Sequence, residues 1–186
     1  STFQQPFFND FVLPQGNLRE SRMGANRAQA VVVTKCPANL NPALQASIKA
    51  NVAKYTKAPV YFSYLNYGQV TNKNGLVLKA KSINLLTGIA APKPMVKYLT
   101  QSLGLKINEH QLFKDHHNFS DTQIAKLEQA LVHGTSPFVT TQKDAVRLRG
   151  KLSAKAQENL YTLPLKFAFL GDDEAKLHAQ IKAFIN

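Results

Sequence analysis

Apolar and polar residues succeed one another along this chain in short blocks whose period changes between strand-like and helix-like. Ala30–Thr34 is a compact apolar run that predicts a short buried strand. Asn41-Pro42 then predicts a helix start, with Asn as cap and Pro at the first position, and the helix runs to about Lys57. Val60–Tyr67 and Leu76–Lys81 predict strands flanking the turn cluster Thr71-Asn72-Lys73-Asn74-Gly75. Ser82–Thr87 predicts a strand ending in Gly88-Ile89-Ala90, and Pro92–Leu103 a helix closed by Gly104. Leu105–Phe113 is extended. Ser120 and Gln123, three residues apart, form the signature of a capping box, and Phe119 and Ile124 stand where the accompanying hydrophobic staple belongs. Beyond that helix, Phe138–Thr141 predicts a strand, Lys143–Arg149 a helical turn, Thr162–Leu170 the last strand, and Asp172–Ile185 an amphipathic closing helix.

Strand and helix alternating in this way predict an α/β fold, three-layer, with a mostly parallel sheet and helices on both faces. Ligands of such folds bind at the carboxyl ends of the strands, where Gly88, Asp115 and Lys143 fall. At 186 residues and 44% hydrophobic, the chain can bury a core of one domain or one and a half. No internal repeat is visible, and no apolar run approaches the ~20 residues of a membrane span. The single Cys36 can form no internal disulfide, which makes a reducing compartment the expectation.

Charge sharpens the picture. Residues 21–108 hold twelve Lys or Arg and no carboxylate, and most of the net charge of +12 lies in the first 110 residues. A balance so uneven points to a polyanionic partner: nucleic acid, an anionic membrane surface or a phosphorylated substrate. The basic residues are scattered rather than striped, and no zinc-finger spacing, RNP-type aromatic pattern or basic zipper accompanies them. A basic nucleic-acid or anion-binding module without catalysis is the alternative reading of this half.

The candidate chemistry gathers at Asp115-His116-His117, the only place where a carboxylate and two imidazoles are consecutive. The Ser120 cap leaves Asp115 and His116 on a loop at the positive end of a helix, which suits an anionic substrate or a proton transfer. A surface loop with locally bonded histidines, a metal site and a general base or its orienting partner all remain open. A metal site needs further ligands, and His110, His133 and His178 are isolated in the sequence.

Four segments carry a family resemblance. Leu13-Pro14-Gln15-Gly16-Asn17-Leu18-Arg19-Glu20 resembles the Leu-Pro-x-Gly-x-Leu-Arg-Glu segment of the tetraacyldisaccharide 4'-kinases, the lipid A 4'-kinases. Gly88-Ile89-Ala90 before a Pro-started helix is similar to that family's Gly-Ile-x-x-Pro, and Phe113–Phe119 to its Phe-x-Asp-His-His-x-Phe. Thr141-Gln142-Lys143-Asp144-Ala145-Val146 is similar to its Thr-Glu-Lys-Asp-Ala-Val, with Gln142 where Glu is usual. The surroundings, Arg19–Arg22 and Val33–Pro37, resemble the Bacteroidetes branch.

The resemblance implies transfer of the ATP γ-phosphoryl group to the 4'-hydroxyl of a tetraacyldisaccharide 1-phosphate, an anionic lipid. It implies work at the cytoplasmic face of the bacterial inner membrane, peripherally and with no nucleic acid as partner. His116, Asp115 and Arg19 become the candidate catalytic residues, His116 by polarising an upstream aspartate and Arg19 by stabilising phosphoryl charge. Gly16, Glu20, His117, Lys143 and Asp144 become the substrate-binding candidates.

The phosphate-binding loop is missing from these residues: Gly150-Lys151 is the only Gly-Lys, with Ala145 where the first Gly belongs. That loop and the family's magnesium-holding Asp-Asp pair lie upstream of the Leu-Pro-x-Gly segment. The chain is therefore expected to be the C-terminal half or so of such a kinase, with ATP and Mg2+ held mainly elsewhere and no metal ligands here. On that reading, residues 1–81 are the end of the P-loop kinase core with a two-stranded connector, and 82–186 a C-terminal α/β domain.

Overall fold

A computed structural model describes residues 1–185. Its contacts gather into two compact units, Ser1–Asn66 with Lys166–Asn186, and Tyr67–Leu165. Residues 67–81, grouped on sequence with the first part, lie in the second unit, and the closing helix belongs with the first.

In the first unit, β1 (Val31–Cys36) runs parallel to β2 (Val60–Tyr67), with Val31 opposite Val60 and Val33 opposite Phe62, and β8 (Leu165–Phe169) follows in the order β1-β2-β8. The crossover from β1 to β2 is α1 (Pro42–Val52), whose cap Asn41 accepts from the Ala43 amide at 2.7 Å. It ends five residues before the predicted Lys57, where the Tyr55 amide closes a tighter turn on the Val52 carbonyl at 2.9 Å. Val33, Ile48, Val52 and Phe62 bury the contact between α1 and the sheet. The closing helix α6 (Asp173–Ile185) buries no residue of its own and attaches through polar bonds instead, Asp173 accepting from the Phe62 amide at 2.7 Å and Gln180 from the Tyr61 hydroxyl at 2.6 Å.

The second unit is a five-stranded sheet in the order β3-β7-β6-β4-β5. Its strands β4 (Ser82–Thr87), β5 (Lys106–Leu112), β6 (Phe138–Thr141) and β7 (Leu160–Leu163) pair in parallel, and the short β3 (Thr71–Asn72) joins β7 antiparallel. Side chains alternate faces along each strand. Leu86, Phe138 and Leu160 point to one face and pack on Leu127 and Leu131 of α3 (Asp121–His133), Leu148 of α4 (Gln142–Arg149) and Ala156 of α5 (Ala154–Glu158). Ile83, Leu85, Val139 and Leu163 point to the other and pack on Met95 of α2 (Lys93–Lys97) and Leu99 of the π-helical turn that continues it. The three layers are thus present, with helices on both faces of a mostly parallel sheet.

Two predicted strands are corrected. Leu76–Lys81 is not a strand: Asn72 accepts the Asn74 and Leu76 amides with its side chain in the turn before it, and beyond that turn Val77 makes an isolated bridge to Thr71. Thr162–Leu170 is broken into β7 and β8, which lie in different sheets. Pro164 stands between them, and having no amide hydrogen it cannot continue a ladder. The short helix α5 was not predicted at all.

Candidate active site

Strands β4, β5 and β6 run in parallel, so their carboxyl ends release three loops on one side of the second unit: Gly88 after β4, Phe113–Ser120 after β5, and the start of α4 after β6. These loops hold five of the eight candidate residues or their supports.

Asp144 is the anchor. It sits wholly buried at the first turn of α4, where Oδ2 accepts from the Gly88 amide at 2.9 Å and the Thr141 hydroxyl at 2.8 Å. Oδ1 pairs with Arg147 at 3.2 Å. A carboxylate at a helix N-terminus is favoured there, and each of its partners answers a lone pair that burial would otherwise leave unmet. A side chain on Gly88 would meet Asp144 Oδ1 at 3.1 Å, so glycine allows the approach. Fully buried, Asp144 ties the start of α4 to the Gly88 end of β4. Lys143 pairs with Asp115 at 3.0 Å and not with its neighbour Asp144, because successive residues of a helix do not share a face.

His116 stands exposed at the head of this cluster with a positive φ of 61°, a left-handed conformation that costs a side-chain-bearing residue energy. Its amide donates to Asp115 Oδ1 at 2.9 Å. Its Nδ1 lies 3.1 Å from Arg147 Nη2, and its Nε2 lies 3.4 Å from Lys143 Nζ and 3.7 Å from Asp115 Oδ2. His116→Gly is therefore expected to be more stable than His116→Ala by about 0.5–1 kcal/mol, since both lose the ring but only glycine relaxes the backbone. Urea unfolding of the two variants side by side measures this, and an Ala variant of equal or higher stability would refute the strain.

Lys143 holds the Asp115 carboxyl below the ordinary carboxylate range, first through its hydrogen bond and then, with His116, through charge, while partial desolvation opposes them. A carboxyl whose folded pKa is depressed contributes stability above its unfolded value and loses it as pH falls through the lowered one. Lys143→Ala should therefore move the Asp115 titration upward, observable by carboxyl NMR. An unmoved titration would mean that the 3.0 Å pair does not persist in solution.

His117 has a structural part. It stacks on Phe113 with ring centroids 4.6 Å apart, meets Phe119 edge-on at 5.0 Å, and bonds Gln123 Oε1 at 2.9 Å. The same Gln123 oxygen accepts from the Ser120 amide at 3.0 Å, completing the capping box that the sequence predicts and tying the loop to α3. His110 bonds the buried Thr87 hydroxyl at 2.8 Å, and burial lowers its pKa. Among the described residues, no three His, Cys, Asp or Glu side chains gather as a metal would require.

Gly16, Arg19 and Glu20 lie in the first unit. The Asp10 carboxylate accepts from the Phe11 amide at 2.8 Å and the Asn17 amide at 3.1 Å, and these bonds depress its pKa. A side chain on Gly16 would run into the Phe11 carbonyl and that carboxylate, so glycine is required by the turn itself. Glu20 pairs with Arg27 at 2.5 Å, while the exposed Arg19 makes no ion pair with a described residue. Arg22 donates to the Asp10 carbonyl at 2.6 Å and lies over the Phe11 ring.

Three residues of consequence were missed by the sequence reading: Asp10, Arg22 and Arg147. Only Arg147 left a local trace, its spacing of three from Asp144 on one helix.

Comparison with known proteins places the chain among relatives. The profile of the family described as tetraacyldisaccharide-1-P 4'-kinase matches residues 2–186. The tetraacyldisaccharide 4'-kinase of Flavobacterium johnsoniae is 37% identical over 179 residues, covering 94% of this chain and 50% of its own length. Its counterpart from Cytophaga hutchinsonii is 34% identical over 181 residues, with 95% and 50% covered. That from Phocaeicola vulgatus is 32% identical over 192, with 95% and 51% covered. The chain thus spans about half the length of the curated relatives it matches. Among solved structures, apo-form LpxK from Aquifex aeolicus in complex with ATP shares the fold, with a TM-score of 0.64 at 21% identity over 98% of this chain and 50% of that one.

Proposed function

Because the chain belongs to the tetraacyldisaccharide-1-P 4'-kinase family, we propose that it is the C-terminal portion of a lipid kinase moving the ATP γ-phosphoryl group to the 4'-hydroxyl of a tetraacyldisaccharide 1-phosphate. The observation that supports this reading best is the cluster at the strand ends, where Asp115, Lys143 and Arg147 meet around His116. Phosphoryl transfer rests on positioning, charge neutralisation and a group near the attacking hydroxyl that receives its proton. His116 serves the last of these by presenting Nε2 to a carboxylate elsewhere in the polypeptide, and the pair accepts the hydroxyl proton. Lys143, carried on the Asp115 carboxylate, and the guanidinium of Arg19 are suited to anionic oxygens. Asp115, Gly16, Glu20, His117 and Asp144 then act by holding these groups in place.

ATP would supply the phosphoryl group, and a bound Mg2+ would neutralise its charge. The residues here do not fit a nucleotide's triphosphate grip. Lys151, from the only Gly-Lys, donates to the Phe119 carbonyl at 3.0 Å, and the adjacent aspartates are engaged, Asp172 with Lys176 at 2.8 Å and Asp173 with the Phe62 amide. These residues alone are expected to bind MgATP weakly or not at all. Calorimetry giving a micromolar dissociation constant would reverse that assignment.

The substrate is an anionic lipid and the setting the cytoplasmic face of the inner membrane, reached peripherally. No helix of the described residues is long and apolar enough to cross a membrane, and the acid-free stretch 21–108 offers cations to anionic headgroups. Assayed in the complete polypeptide, phosphate transfer from ATP to the 4'-hydroxyl is the expected result. No transfer, together with tighter binding to nucleic acid than to anionic vesicles at matched salt, would replace this reading with a basic nucleic-acid module.

A further inference from the structure

The geometry points to Arg147 as the positioning residue of His116, fixing both the orientation of its imidazole and the nitrogen that carries its proton. Arg147 comes from α4, 31 residues after His116, and its side chain is 24% exposed. Nη1 reaches the buried Asp144 Oδ1 at 3.2 Å while Nη2 reaches His116 Nδ1 at 3.1 Å. Asp144 is in turn held by the Gly88 amide and the Thr141 hydroxyl. A continuous path of hydrogen bonds therefore runs from the ends of β4 and β6, through a wholly buried carboxylate and a planar guanidinium, to an exposed imidazole.

The chemistry of the guanidinium decides what this path does. It has donors only and keeps its protons across the working pH range, so the ring atom facing it must offer a lone pair. In neutral His116 that atom is Nδ1, which leaves the proton on Nε2. Lys143 Nζ lies 3.4 Å from Nε2, but its shorter bond, at 3.0 Å, goes to Asp115 Oδ1, so the 3.1 Å contact with Arg147 decides the tautomer. The Nε2–H edge, with Asp115 Oδ2 at 3.7 Å, is then the one that faces carboxylates, and Nδ1 is occupied. His116 in this tautomer orients and polarises a partner base; it does not itself accept the first proton. The fork must also be planar, because its two terminal nitrogens serve different partners. A lysine at 147 could meet Asp144 or His116 and not hold both in register.

This rests on the reading of His116 as a participant in proton removal, and its test separates the two. Heteronuclear NMR of the imidazole nitrogens in this chain should show His116 of the parent as the Nε2–H form, with the two ring nitrogens well separated in chemical shift. In Arg147→Ala and Arg147→Lys the two signals should move toward each other as the tautomers exchange. In the complete kinase, Arg147→Ala should lower kcat by about 10²-fold, the order expected for a misplaced catalytic group, with KM near that of the parent. Millimolar guanidinium should restore part of that loss. Arg147→Lys keeps a cation beside buried Asp144 and so guards against a variant that simply unfolds. Ring-nitrogen signals unchanged in both variants, or an Arg147→Ala enzyme with parental kcat while His116→Ala is inactive, would overturn the positioning role. A His116→Ala enzyme with full turnover would overturn the reading of the site itself, and Arg147's part in the reaction with it.

Discussion

In the complete kinase, His116→Ala is expected to lose about 10²–10⁴-fold in turnover while costing under about 1 kcal/mol of folding free energy. The small stability cost follows from position: the His116 side chain is 73% exposed, so its removal opens no core cavity. The large kinetic cost follows from what the ring faces. Nδ1 is turned to a cation fixed by a buried carboxylate, and Nε2 lies 3.7 Å from the Asp115 carboxylate that holds Lys143. The loss should fall on kcat rather than KM, because a group assisting proton removal acts in the transition state. His117→Ala supplies the contrast. Its ring stacks on Phe113 and holds Gln123, so its removal should cost about 1 kcal/mol in stability and little in turnover. Catalytic constants and melting temperatures of the two variants beside the parent decide the matter. A His116→Ala enzyme with parental turnover, or one inactive only because unfolded, would sink the assignment.

Asp144→Ala should do the reverse, destabilising the fold by about 3–5 kcal/mol. It removes a fully buried carboxylate and strands the buried Gly88 amide together with the partly buried Thr141 hydroxyl and Arg147 guanidinium. Leaving such donors unmet costs each its desolvation penalty, which exceeds the net worth of the bonds themselves. Asp144→Asn keeps the shape and one acceptor oxygen, and a smaller loss of about 1–2 kcal/mol is expected from it. Urea unfolding measures both, with a shifted midpoint and an unchanged slope as the signature of lost stability. An Asp144→Ala chain within about 1 kcal/mol of the parent would mean that water replaces the carboxylate and the pocket is not dry.

Local signals account for what could be read without coordinates. Asn41 caps α1 and Ser120 with Gln123 closes a capping box, because such bonds join residues two or three apart. Val60–Tyr67, Ser82–Thr87 and Phe138–Thr141 are strands over the residues predicted, since their apolar and β-branched content suits a buried sheet wherever it lies. The sequence also placed Asp115-His116-His117 on a loop ahead of a helix, and Gly88 and Lys143 at strand ends, since these follow from element order alone. What only the tertiary structure decided is which distant groups meet. Lys143 bonds Asp115 across 28 residues and Asp144 takes the Gly88 amide across 56, both consequences of strand β4 lying between β5 and β6. Pro164 parts one apolar run into strands of two sheets, although periodicity continues through it. Burial divides Asp144 from Lys143 beside it, and only burial turns an ordinary helix-start carboxylate into the anchor of Arg147 and, through it, of His116. Periodicity and capping are written in neighbouring residues, whereas burial and long-range pairing depend on strand order, which no local pattern encodes.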